Sequence, residues 1–535
     1  MEQGTAAGEA FALLRERMSE LADLEAICGL LDWDQETMMP PHGASARAEH
    51  FATVERLHHE RLTAPEVGVW LDSLDGDALD DAAAMTAEPT DAIDRDHALL
   101  RVTRRDRGKA LRVPRELHTE LARARSIGQH IWARARGADD FDAFLPQLRL
   151  LIDLTRRYVD CFPDVEQPYD ALLDDYEPGM RTAQVSALFA QLREGLRPLL
   201  DEIARARAEG FAPQPLEGPF STDDQRRLVR RMLRDIGFDP RAGRLDESEH
   251  PFSTTTALGD QRITARFGEH SLESMFAGLH EFGHALYDSQ VDPALEHTPL
   301  CTGVSSALHE SQSRLWENMV GRSRAGAEFL LPRLREEIGG PFAAMDAEEL
   351  YRRVNVVRPS LIRVEADEVT YALHIILRFE LELELFNGTL QAEDLAQAWR
   401  ERAPHYIGVE VPDDAHGVLQ DIHWAFGGFG YFPTYALGNL IAAMLWARIG
   451  VDIPDIDARI ANGDCAPLRE WLREHVHRFG RMLTPAQTLR RATGADIAVE
   501  PFLDYLWEKH AGVHDVRRGG ASREPEEGRP AAAEG

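Results

Sequence analysis

Residues 271–290 read SLESMFAGLHEFGHALYDSQ. Phe276, Leu279, Phe282, Leu286 and Tyr287 fall at helical spacing and leave little solvated face, so the stretch is a helix with Ser271 as its N-cap. The same spacing fills Phe11 to Ile27, Leu117 to Ala135, Leu145 to Tyr158, Val185 to Ala206 and Leu373 to Leu385. Helix stops separate these runs at Pro40-Pro41, Gly137, Pro163, Pro178-Gly179 and Gly388. The chain is rich in Ala, Leu, Glu and Arg, the strong helix formers. An all-α, mainly helical fold is therefore expected. The exception is PFSTTTALGDQRITARF at 251–267, where Thr-rich runs flank Gly259-Asp260. It predicts two short strands, a small β-sheet.

One large helical domain is expected over residues 1–510, with a disordered tail over 511–535. Residues 72–93, Asp- and Ala-rich, and 211–220, with three prolines, read as loops.

The helix that opens this reading also carries chemistry. His280 and His284 stand four apart and share one helix face, so both can reach a single ion. Glu281, next to the first, can point at a water on that ion. Two histidines and a glutamate in so apolar a helix need partners if buried. A catalytic zinc takes a third protein ligand, expected from the next helical stretch, Val304 to Val320. Glu310 lies off its apolar stripe and is the first candidate. His309, Glu317, Glu296 and His297 compete with it. A salt bridge from Glu310 to Arg314 is the alternative reading of that carboxylate.

HEFGH followed by HESQ at 309–312 resembles the Taq-type (M32) family of metallocarboxypeptidases. Other signatures of that family follow in order: HPF at 250–252, DQRIT at 260–264 for DxRxT, IRVEAD at 362–367 for IRxxAD, and GVLQDIHW at 417–424 for GxxQDxHW. LDWDQETMMPP at 31–41 is similar as well, and the resemblance runs from about residue 10 to about 510. It implies a saddle-shaped, deep-cleft, neurolysin-like helical protein that removes single residues from peptide C-termini. It implies His280, His284 and Glu310 as ligands of zinc or cobalt, Glu281 as catalytic base, and a homodimer.

A carboxypeptidase must grip a free α-carboxylate, which Arg does with a two-pronged hydrogen bond. Arg363 is the first candidate, its alternative being a structural pair with Asp367 at i+4. Arg262 is the second, its alternative a strand salt bridge to Asp260. Residues 424–435, WAFGGFGYFPTY, hold six aromatics and three glycines and do not fit a regular helix. Tyr431, Tyr435 and His423 are candidates to hydrogen-bond the oxyanion. His250 is a further cleft candidate. An endo-oligopeptidase of the same helical class, and a scaffold with an empty HExxH, are the rival readings.

Composition excludes other classes. With 91 acidic against 59 basic residues the net charge is −32, which repels phosphate backbones and argues against nucleic-acid binding. There is no GxGxxG or GxxxxGK loop. The four cysteines, Cys28, Cys161, Cys301 and Cys465, form no CxxC and read as free thiols of a reducing cytoplasm. The N-terminus has no signal-peptide pattern. No run of ~18 apolar residues occurs, so no membrane span is expected.

Overall fold

Helical spacing becomes helix along most of the chain in the computed structural model, which describes residues 2–74, 94–210 and 213–518. The five predicted runs lie in helices Glu2–Thr37, Arg115–Ala138, Phe141–Val159, Thr182–Ala208 and Tyr371–Asn387. Side-chain caps start several others. Asp94 accepts from the Asp96 amide at 2.8 Å and Asp346 from the Glu349 amide at 2.8 Å, each worth about 1 kcal/mol. Gly388 ends Tyr371–Asn387 in the left-handed region, φ 77°. The helix through Gly137 runs one residue further and ends on left-handed Asp139, φ 52°.

The sheet has three strands, one more than expected. β2 (Ser253–Ala257) and β3 (Asp260–Ala265) form the predicted antiparallel pair, and β1 (Gly243–Glu247) runs parallel to β3 on its other side. β1 reads GRLDE and has one apolar side chain, so no alternation announces it. Its pairing with β3 makes it a strand.

The main core gathers around helix Phe432–Asp452, in which Phe432, Leu437, Leu440 and Leu445 are buried. This helix is long and apolar enough for a bilayer, but most of that apolar length is buried inside the protein. It packs against Ser306–Arg314 and Tyr371–Asn387. A smaller apolar cluster ties the first helix to Pro65–Ser73, Arg95–Arg112 and the turn at 291–300.

Two boundaries move. The expected tail at 511–535 begins too early: helix Glu500–His514 continues into it, with Val513, His514 and Val516 buried. Residues 519–535 lie outside the described residues, as do 75–93 of the expected loop at 72–93. Residues 213–220 carry no regular structure and join Thr182–Ala208 to Thr222–Ile236.

Candidate metal centre and active site

The HEFGH helix is Glu273–Ser289, with Leu272 at its N-cap position; the Ser271 hydroxyl accepts from the Glu273 amide at 3.5 Å. Met275, Phe276, Leu279, Phe282 and Leu286 bury most of its circumference. His280 and His284 turn toward Glu310 on the neighbouring helix Ser306–Arg314. His280 Nε2 lies 3.6 Å and His284 Nε2 3.4 Å from Glu310 Oε2. A ligand atom from each of the three side chains falls within 4.8 Å of the others. Two imidazole nitrogens and a carboxylate oxygen suit a divalent zinc-type ion.

The competing residues separate by position. Glu317 stands behind His280, its Oε2 2.9 Å from Nδ1. His309 stands behind His284, Nδ1 to Nδ1 at 2.6 Å. Glu296 instead accepts from the Leu258 amide at 3.2 Å, and His297 pairs with Asp23 at 2.8 Å. Glu317 and His309 thus stand where outer partners orient metal-binding imidazoles. Glu310 also makes the expected salt bridge. Arg314 Nε reaches Oε1 at 2.7 Å, while Oε2 faces the histidines, so the two readings of this carboxylate coexist.

Two glycines let the Glu310 helix come this close. A Cβ on Gly283 would stand 2.4 Å from the Gln312 carbonyl oxygen and 2.7 Å from Ser313 Cα. One on Gly438 would meet Glu310 Cγ at 2.7 Å and Cβ at 2.9 Å. Neither contact is one that a real side chain tolerates.

Charge states follow from burial and neighbours. Burial pushes the Glu281 carboxyl up to about 7, and Glu281 makes no hydrogen bond among the described residues. Burial pushes His284 down to about 4, which keeps it neutral. Burial opposes ionisation of Glu310, but Arg314 and His280 outweigh it and hold the carboxyl well below the usual range.

A second charged cluster lies beside the aromatic segment. Asp421 accepts from Arg363 Nε and Nη2 through Oδ1, at 2.9 and 2.7 Å, and from Arg378 Nε through Oδ2 at 2.6 Å. Arg363 Nη1 donates to the Tyr371 hydroxyl at 3.0 Å. The expected alternative, an Arg363–Asp367 pair, does not form. Arg363 sits in a short 3₁₀ turn, and Asp367 instead accepts from the Val369 and Thr370 amides, just ahead of the helix that begins at Tyr371. Burial pushes His423 down to about 3 and His374 well below its ordinary value, so both are neutral. Two guanidiniums thus share one carboxylate, and the cluster keeps one net positive charge.

Arg262 takes its own alternative: it holds Asp260 with two bonds, 2.9 and 2.7 Å, and stacks on Trp33 with its guanidinium carbon 4.5 Å from the ring centroid. His250 is exposed, and its carbonyl accepts from Ser248 at 2.6 Å.

A family model described as carboxypeptidase Taq (M32) metallopeptidase matches residues 13–510. The chain belongs to that family. It is 41% identical to thermostable carboxypeptidase 1 of Thermus thermophilus, over 94% of this chain and 99% of that one. It is 34% identical to carboxypeptidase 1 of Bacillus subtilis, over 96% and 100%. Among solved structures, the M32 carboxypeptidase of Deinococcus radiodurans superposes with a TM-score of 0.88 at 38% identity, covering 95% and 100% of the two chains. A Pyrococcus furiosus carboxypeptidase gives 0.87 at 36% identity, covering 94% and 99%. The protein is thus a metallocarboxypeptidase with the helical fold of its family.

In this M32 site the aromatic segment is part 3₁₀ turn, part glycine loop, part helix start. His423–Phe426 is the turn, and Tyr431 precedes helix Phe432–Asp452. Gly430 sits at φ 89° and presses on Leu172, where a Cβ would come within 2.8 Å of the backbone. Trp424, Phe429 and Phe432 are core. His423 Nε2 meets the Tyr435 hydroxyl at 3.0 Å, and the Tyr431 ring stands edge-on to Tyr435 at 5.2 Å. Glu382, fully buried, accepts from Tyr169 Oη at 2.6 Å, Trp424 Nε1 at 2.7 Å and the Gly430 amide at 3.0 Å, and so pins both ends of the glycine loop.

Arg378, Glu382, Gly438 and Asp288 were not singled out from sequence. The first two had a signal: charged side chains four apart in YALHIILRFELELELF, a helix otherwise too apolar to leave them solvated.

Proposed function

We propose that this enzyme releases single residues from the free C-terminus of peptides, with His280, His284 and Glu310 holding a divalent metal, zinc in the first place and cobalt as the alternative. The observation that carries this is the conjunction of the two-histidine, one-carboxylate cluster with a buried guanidinium pair that is one anion short of neutral. The metal, when bound, supplies Lewis-acid polarisation of the scissile carbonyl and a lowered pKa for water. Glu281 takes a proton from the attacking water and returns it to the leaving amine, a task suited to a carboxyl held near 7. Arg363 grips the substrate carboxylate, and Arg378 keeps Asp421 neutralised while it does so. Tyr431, backed by Tyr435 and His423, donates to the oxyanion. An obligate free carboxylate distinguishes this reading from an endo-oligopeptidase.

We also infer a homodimer, on the family resemblance, and a cytoplasmic setting, supported by four free cysteines.

Three matched peptides test the activity, each with zinc or cobalt and with a chelator. One is N-acetylated with a free C-terminus, one is its C-terminal amide, and one has both ends free. A ladder of single-residue losses from the first and third, far slower cleavage of the amide and no cleavage under chelation are expected. Internal cuts in all three would make the enzyme an endopeptidase. The ligand geometry has its own test in Gly438→Ala. Overpacking costs about 1–3 kcal/mol, so metal affinity is expected to fall about 10- to 100-fold as Glu310 is displaced. A competition titration giving the parent's affinity would show that Glu310 can move without consequence.

A further inference from the structure

The His309 imidazole lies edge to edge with His284 and nearly coplanar with it (ring centroids 4.6 Å apart, planes at 18°), and its ring is near that of Tyr287 on another side (5.4 Å, 29°). Its Nδ1 faces His284 Nδ1 at 2.6 Å, and its Nε2 faces Asp288 Oδ1 at 3.1 Å. The other Asp288 oxygen accepts from the Thr255 hydroxyl of β2 at 3.0 Å. Gly303 leaves room for the ring, since a Cβ there would stand 2.6 Å from His309 Cδ2.

These contacts match one arrangement of hydrogens, that of a metal-bound His284. A carboxylate only accepts, so His309 Nε2 carries a hydrogen and donates it to Asp288. When His284 Nε2 holds the metal, the ring hydrogen of His284 lies on Nδ1, and His309 Nδ1, 2.6 Å away, is the acceptor that it faces. His284 Nε2 is left with its lone pair on the side of Glu310, which is the tautomer a metal ligand requires.

We propose that His309, held by Asp288, is a positioning residue that locks His284 in its metal-binding tautomer and ring orientation. The inference rests on the metal centre proposed above. It makes the two imidazole ligands unequal. His280 is braced by a carboxylate directly, Glu317, whereas His284 is braced by an imidazole with the carboxylate one ring further out.

The test measures zinc affinity of the full-length chain by competition with a chromophoric chelator, and the visible absorption bands of its cobalt form. His309→Phe keeps an aromatic ring beside Tyr287 but offers no acceptor. His309→Gln restores both bonds: its carbonyl accepts from His284 and its amide donates to Asp288. Loss of an outer partner typically costs 10–100-fold in metal affinity, so about that loss and altered cobalt bands are expected for His309→Phe, with recovery to within about threefold in His309→Gln. Thermal unfolding of the metal-free forms separates this from misfolding. Should His309→Phe not fold, Asp288→Asn carries the question. Its amide can present a hydrogen to His309 Nε2 and so release the tautomer, and a loss of at least about fivefold is expected. Zinc affinity within about twofold of the parent, with unchanged cobalt bands, in the folded variant would overturn the proposal. His280→Ala is the control: if it too keeps the metal, the metal centre itself is misplaced, and if it alone loses the metal, only the role of His309 falls.

Discussion

Glu281→Gln is expected to bind metal as the parent does and to hydrolyse peptides about 10²–10⁴-fold more slowly, the range that a positioned general base supplies. The substitution is nearly isosteric. Glu281 is buried, 5% exposed, and makes no hydrogen bond among the described residues, so its removal leaves no partner stranded. Burial first, and then the nearby Glu310 and Glu317 carboxylates, disfavour its charge and push the carboxyl up to about 7. A neutral amide therefore sits there without cost to the fold, and the melting temperature is expected to hold or rise. What is lost is the capacity to take a proton. Turnover of a free-acid peptide and metal content per chain, measured on the same preparation, decide the matter. Activity within tenfold of the parent at full metal occupancy would remove Glu281 from the mechanism and require another base.

The parts legible in the sequence were those whose cause is local. The HEFGH helix declares itself by spacing, and its two histidines meet because i and i+4 share a face. The choice of Glu310 over His309, Glu317, Glu296 and His297 was not local. It depends on Gly283 and Gly438, which admit one helix to another at a distance that no periodicity records. The same holds for Arg363. A pattern reading pairs it with Asp367, four residues on, whereas its partner is Asp421, fifty-eight residues away. The local pairing fails because Arg363 lies in a 3₁₀ turn, and helix Tyr371–Asn387 takes up Asp367 at its start. Strand β1 was missed for a related reason: its stability comes from a ladder to β3, and its exposed Arg244 pairs with the partly buried Asp246.

Arg363→Gln is expected to lower kcat/KM for free-acid peptides on the order of 10²–10³-fold, two charge-assisted hydrogen bonds at ~1.5–3 kcal/mol each setting the scale. The fold should survive. Removing one partner of a buried ion pair normally strands the other, at a cost of about 3–5 kcal/mol. Here Asp421 keeps Arg378, bonded at 2.6 Å, and the cluster passes from one net positive charge to neutral. Arg363 is engaged by Asp421 through Nε and Nη2 but also turns Nη1 to the Tyr371 hydroxyl, a contact that a substrate carboxylate can share or displace. The loss should therefore be confined to substrates that bring an anion. Residual cleavage of the C-terminal amide, slow in the parent, should be unchanged in the variant, so discrimination between acid and amide collapses while metal content does not. An equal fall for both peptides would mean that Arg363 supports the segment around Asp421 and His423 without touching substrate. Arg363→Lys separates charge from geometry. It keeps the positive charge but loses the planar fork, and an activity near that of Arg363→Gln would show that two-pronged recognition, and not charge alone, selects the free C-terminus.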